Sequence, residues 1–177
     1  LSALADSVDA LTGGTLSIVS GGNSGNLDWA LSGDATGRVN DLRLGESILL
    51  GREPLGRNPI RGLHTDAISL VAEVIESKTK PSKVSGETGE AAFGVAARTE
   101  SAGDISQVIL ALGRQDTDCF GLDAPPGSEI LGASSDHLVV NAGDSGLPIG
   151  SEVRFQPNYS ALVRAMTSPF VSRQFLN

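Results

Sequence analysis

The chain opens on a helical spacing and then changes period. Leu1, Leu4, Ala5, Val8 and Leu11 recur every three or four residues, which predicts a helix over 1–11 with one apolar face. Gly13-Gly14 ends it. Leu16–Val19 is a short apolar run that reads as a strand, closed by a Gly-Gly-Asn-Ser loop at 21–24. Leu27–Leu31 predicts a short helix. Asp41–Leu50 reads as a second strand with a glycine inside it, carried by Leu42, Leu44 and Ile48-Leu49-Leu50. Helix, strand, helix, strand is the rhythm of a parallel α/β sheet or barrel.

That rhythm ends at Gly51. Residues 51–66 hold two prolines, three glycines and three arginines and read as a crossing segment. Strand patterns follow at 67–75, 105–112, 129–131, 137–140 and 152–155. Turn signals separate them: Ser85-Gly86, Ala102-Gly103-Asp104, Pro125-Pro126-Gly127 and Asp144-Ser145-Gly146. This spacing predicts a small antiparallel barrel or sandwich. Tyr159–Met166 predicts a terminal helix, stopped before Pro169. The expected fold is mostly β, with an α/β piece at the N-terminal end.

Composition narrows the class. A length of 177 residues suits one moderate domain, or a small domain with part of another. Apolar residues make up 40% but aromatics only 4%, so Val, Ile, Leu and Ala must fill the core. A net charge of −8, with 13 dispersed basic residues, argues against nucleic acid as a partner. No apolar stretch approaches the ~20 residues of a membrane span, and no segment reads as a signal peptide. Cys119 is the single cysteine; it can form no internal disulfide and has no neighbours at metal-ligand spacing, so no metal is expected. A reducing, cytoplasmic setting fits. Cys119 reads as a small core hydrophobe or, alternatively, a nucleophile. A start at Leu1 without methionine reads as part of a longer chain.

Candidate chemistry concentrates in two glycine-rich stretches, Ser20–Ser24 and Arg43–Ser47. Backbone N–H groups beside small residues at a strand end can hold a phosphate. No lysine precedes Lys78, and Lys78, Lys80 and Lys83 lie in a polar Pro/Ser segment and read as solvated loop charges.

Six motifs in order carry a family likeness: Ser-Gly-Gly-Asn-Ser (20–24), Arg-Leu-Gly-Glu-Ser-Ile-Leu-Leu-Gly (43–51), Gly-Leu-His-Thr-Asp-Ala (62–67), Gly-Arg-Gln-Asp (113–116), Leu-Gly-Ala-Ser-Ser-Asp-His (131–137) and Asn-Tyr-x-Ala-Leu-x-x-Ala-Met-Thr-Ser-Pro (158–169). Together they resemble pyridoxal-phosphate amino-acid racemases of the alanine racemase type, most closely the ornithine racemase-like branch. The resemblance implies the last two βα units of a (β/α)8 barrel over residues 1–60 and a C-terminal β domain over 61–177. A whole barrel takes ~250 residues, so most of one would lie outside this chain.

The resemblance also implies roles. Ser24 would give its hydroxyl, and Gly45 and Glu46 their backbone N–H groups, to the cofactor phosphate, with Asn23 shaping the turn. Arg43 would sit beside the pyridine nitrogen. Ser135 and Asp136 match a loop that binds the substrate carboxylate. Arg114 replaces an aromatic residue at the substrate entrance, which implies a specificity other than alanine. Phe93, in Ala-Ala-Phe-Gly (91–94), stands where the family places a proton-carrying tyrosine. Asp136 and His137 are the ionisable candidates left for catalysis, and Tyr159 is the sole tyrosine. No residue matches the family's Schiff-base lysine, so the chain alone is expected to be inactive. A head-to-tail homodimer acting on an amino acid, ornithine or another non-alanine one, is implied.

Two other readings stay open. One is a non-catalytic β-domain module for binding or assembly. The other is a decarboxylase of the same fold type, which would need a cysteine motif that Cys119 does not match.

Overall fold

The structure is a computed structural model and describes residues 1–82 and 103–176. The chain divides into two compact units, Leu1–Ile68 and Ser69–Asn177.

In the first unit, α1 spans Ser2–Thr12 and ends at Gly13, whose φ of 67° suits a residue without Cβ. Arg38 clamps its polar side, pairing with Asp6 at 2.8 Å and Asp9 at 2.7 Å. Asp9 also accepts the N–H of Leu16 at 2.8 Å. Strand β1, Ser20–Asn23, runs parallel to β2, Asp41–Arg43. A 3-10 turn, Ser24–Asn26, follows β1 and leads into α2, Leu27–Leu31, at the expected place. Helix α3 covers Glu46–Leu50.

Two sequence expectations are corrected here. The first strand lies at 20–23 rather than 16–19. The N–H of Val19 goes to the Asn40 side chain at 2.9 Å. The glycines expected to form the loop form the strand itself, since a Cβ on Gly21 would come within 2.7 Å of Val39. The second strand ends at Arg43, and the apolar run Ile48-Leu49-Leu50 is helical. Ser47 and Leu50, three apart, are its buried residues, so the run follows a helical period and not an alternating one.

Residues 51–66 form an irregular loop ordered around Glu53. This buried carboxylate accepts the N–H groups of Leu55, Gly56 and Asn58, each at 2.8 Å, and the Asn58 amide at 3.0 Å. Ala5, Val19, Leu27 and Leu50 are buried in this unit, while Leu4, Leu11, Ile18, Leu31 and Ile48 are exposed.

The second unit is a six-stranded antiparallel sheet that curls into a half-barrel. Its strands are β3 (Leu70–Pro81), β4 (Asp104–Leu110), β5 (Leu122–Asp123), β6 (Glu129–Ala133), β7 (Leu138–Asn141) and β8 (Glu152–Pro157). Their order is β5-β8-β3-β4-β7-β6. The β-rich expectation holds. Strand β5 has only two residues and leaves no alternating pattern to read.

Along β3, Leu70, Ala72 and Val74 are buried, while Val71, Glu73 and Ile75 face outward. Val108, Leu110, Leu138, Val140 and Phe155 complete a fully buried centre. Helix α4, Tyr159–Thr167, adds Ala161, Leu162 and Ala165. Its N-cap is Asn158, whose side chain accepts the N–H of Ala161 at 2.9 Å. Among the described residues, no helix is long and apolar enough to cross a membrane.

Candidate functional site

The first cluster is built where β1 and β2 end side by side. Asn23 pairs in register with Arg43. Asn23 caps the following turn: its side chain accepts the N–H of Gly25 at 2.9 Å, and its own N–H donates to the Asn26 side chain at 3.1 Å. This reciprocal cap fixes Ser24 as the first residue of the turn and directs it inward, with 7% of its surface exposed.

Donors from the opposite strand end converge on Ser24. The N–H groups of Gly45 and Ser47 both donate to Ser24 Oγ at 3.3 Å. The Ser47 hydroxyl lies 3.1 Å from the same oxygen, and Ser47 is fully buried. A hydroxyl has two lone pairs and one proton. Here two N–H and two O–H donors meet with only hydroxyl oxygens to receive them, and the bonds are long. Three donors thus share the two lone pairs of Ser24 Oγ, and an anionic oxygen would relieve that crowding. A Cβ on Gly45 would meet nothing within 4 Å, so open space lies over this backbone. Glu46 begins α3, where the first N–H groups have no intrahelical acceptor. Its carboxylate pairs with Arg57 at 2.7 Å. Arg43 is exposed and makes no ion pair among the described residues.

The second cluster lies in the second unit. The turn at 113–117 is laid along the loop at 133–137: Arg114 N–H donates to the Ser134 carbonyl at 3.0 Å and Gln115 N–H to that of Ser135 at 2.9 Å. Buried Asp116 closes the turn by accepting the Gly113 N–H at 2.8 Å. Gly113 is required by contact, since a Cβ there would sit 2.3 Å from the Ser135 oxygen and the Asp136 nitrogen. The Arg114 Nε donates to the Ala133 carbonyl at 3.3 Å, and its guanidinium stacks 5.2 Å from the Phe120 ring centre.

Asp136 Oδ1 accepts the hydroxyls of Ser135 at 3.0 Å and Ser134 at 3.2 Å. It also lies 3.0 Å from His137 Nδ1. The Ser135 hydrogen bond leads in holding this carboxyl below its ordinary range, followed by the His137 charge and the Ser134 hydroxyl, against a partial desolvation cost. Asp136 is therefore an acceptor near neutral pH and not a proton donor.

The structure thus gathers Asn23, Ser24, Arg43, Gly45 and Glu46 in one unit and Arg114, Ser135, Asp136 and His137 in the other. Phe93 and Lys83 lie outside the described residues. Lys78 and Lys80, expected as loop charges, lie instead on β3 and pair with Glu76 at 2.6 and 3.0 Å. Cys119 belongs to the core, 1% exposed, and burial pushes its thiol up to about 11, which leaves it unreactive. Sequence reasoning missed Ser47 and Gly113. The signal for Ser47 was its place one residue past Gly45-Glu46, mirroring Ser24 after Gly22-Asn23.

No family model matches the chain. It is 40% identical over 164 residues to ornithine racemase of Acetoanaerobium sticklandii, covering 91% of this chain and 46% of that protein. It is 41% identical over 165 residues to lysine racemase of Thermotoga maritima, covering 92% and 47%. The chain is thus similar to two amino-acid racemases over nearly all of its own length. It spans about half the length of the curated relatives it matches. Solved structures with the same fold include biosynthetic alanine racemase of Pseudomonas aeruginosa, at 18% identity and a TM-score of 0.58 over 97% of this chain and 51% of that one. D-threonine aldolase of Filomicrobium marinum matches at 16% identity and 0.58, over 92% and 39%. Alanine racemase of Bartonella henselae, with covalently bound pyridoxal phosphate, matches at 19% identity and 0.53, over 95% and 46%.

Proposed function

We propose that this chain is the part of a pyridoxal-phosphate-dependent amino-acid racemase that carries the phosphate anchor and the β domain. The carrying observation is the donor-rich cluster at Ser24. The likeness to ornithine and lysine racemases supports the reaction class and a basic amino acid as substrate. In this reading residues 1–60 are the last two βα units of a (β/α)8 barrel, and 61–177 are the β domain. Parallel β1 and β2, each followed by a helix, support that division. So do the exposed leucines and isoleucines of the first unit, which the remaining barrel would cover.

The donor set fits the phosphate end of the cofactor. Ser24, Gly45 and Glu46 would hold it through one hydroxyl and two N–H groups, and Asn23 keeps the turn in shape. When bound, pyridoxal phosphate withdraws electrons from the amino acid and acidifies its Cα–H. Arg43 would lie beside the pyridine ring, where its fixed positive charge would moderate that withdrawal. Arg114 and Ser135 position the substrate. Asp136 holds His137 through Nδ1, which leaves Nε2 to carry a proton to or from Cα. Head-to-tail pairing with a second copy is part of the proposal.

The test starts with the chain itself. Amide NMR signals of Gly45, Glu46 and Ser47 should shift on titration with inorganic phosphate, and S24A should abolish the shifts. The chain with pyridoxal phosphate and L- or D-ornithine should show no racemisation above free cofactor by chiral chromatography, because no residue matches the family's cofactor-binding lysine. Turnover by the chain alone would overturn the inactivity. Unshifted amides with self-association would favour the assembly module.

A further inference from the structure

Glu46 poses an electrostatic problem that the loop after it answers. Its backbone lies between the two N–H groups that reach Ser24, so its carboxylate is carried on the same turn as the anion donors. An unpaired carboxylate there would repel an incoming phosphate. Arg57 Nη1 meets Glu46 Oε1 at 2.7 Å. Arg57 is also the only described non-glycine residue with a left-handed backbone, at φ 62°. For an arginine that conformation is unfavourable and persists only where the surroundings impose it.

The imposing element is the loop centred on Glu53. Its carboxylate gathers the N–H groups of Leu55, Gly56 and Asn58 on both sides of Arg57. The Arg57 N–H donates to the Glu53 carbonyl at 3.1 Å, and the Arg57 carbonyl accepts from Arg52 Nη1 at 3.0 Å. Both backbone groups of Arg57 are thus engaged and its side chain is left to reach α3.

We infer that Arg57 is a positioning residue of the anion site: held in a left-handed turn by Glu53, it neutralises the Glu46 carboxylate and so lets the Ser24 cluster accept a phosphate. This rests on the proposed anchor and adds a charge-compensating layer to it.

The experiment is a phosphate titration of the purified chain at low salt, read by the amide signals of Gly45, Glu46 and Ser47. R57G keeps the left-handed turn without strain, so folding survives while the guanidinium is lost. R57G should weaken phosphate binding by about fivefold to tenfold, a loss that shrinks as salt is added. The double variant R57G with E46Q should recover wild-type affinity, because no uncompensated charge remains. A merely structural role for Arg57 would leave the double variant as weak as R57G. Equal affinity of R57G and wild type, or no recovery in the double variant, overturns the inference while leaving the anchor standing. Absence of phosphate binding by the wild-type chain removes the anchor and this inference with it.

Discussion

Single carboxylates and glycines decide much of the local geometry here. Glu53 accepts four hydrogen bonds, and the Asn58 N–H leads in holding its carboxyl below the ordinary value of 4.5. A depressed folded-state pKa contributes stability that is present above the unfolded value and lost as pH falls through the folded one. Wild-type protein should therefore lose stability as pH falls below the ordinary glutamate value of 4.5. E53Q should be less stable at neutral pH and show a flatter acid limb, read from urea midpoints at both ends. An unchanged acid limb would show that Glu53 is not the group responsible. Gly113 acts by contact instead: the loop at 134–137 leaves no room for a Cβ. G113A should cost about 1–3 kcal/mol in urea unfolding and displace the amide signals of Ser135 and Asp136. The role of Gly113 is not visible in sequence, since it depends on which backbone lies opposite.

At the scale of elements, helices were the most legible. α1 and α4 lie close to where apolar spacing puts them, and α2 matches its predicted ends. Strands in the second unit were legible as apolar runs between turn signals, as at Leu70-Val71-Ala72-Glu73-Val74, where the alternation shows in burial and not in residue type. The two errors share a cause. Short apolar runs do not carry a period, so Ile48-Leu49-Leu50 fits strand and helix alike. Likewise, Leu16–Val19 appeared a better strand than the glycines after it, which form the ladder because Val39 leaves space for nothing larger. Helix α4 depends on its cap: N158A should lower stability by about 1 kcal/mol, with N158D retaining most of it, and an unchanged urea midpoint would count against the cap.

For the whole molecule, apolar burial is uneven. The core cluster of the second unit draws on β3, β4, β7, β8 and α4, whereas the first unit has few buried apolar side chains and many exposed ones. Local stability follows buried contacts. Amide hydrogen exchange should be slowest in β4 and β7 and faster throughout α1, α2 and α3. Equal protection in both units would contradict this.

The sequence by itself determined the family likeness, the β-rich character of the second unit, helices α1, α2 and α4, and the residue types able to hold an anion. These follow from local pattern and from motifs in a fixed order. Tertiary structure alone decided that Gly45 and Ser47 point their N–H groups at Ser24, that Glu53 sets the backbone of Arg57, and that Gly113 presses against the Asp136 loop. Such contacts join residues whose order along the chain does not fix their distance. Hydrogen-bond saturation and steric exclusion fix it only once the strands and loops are side by side.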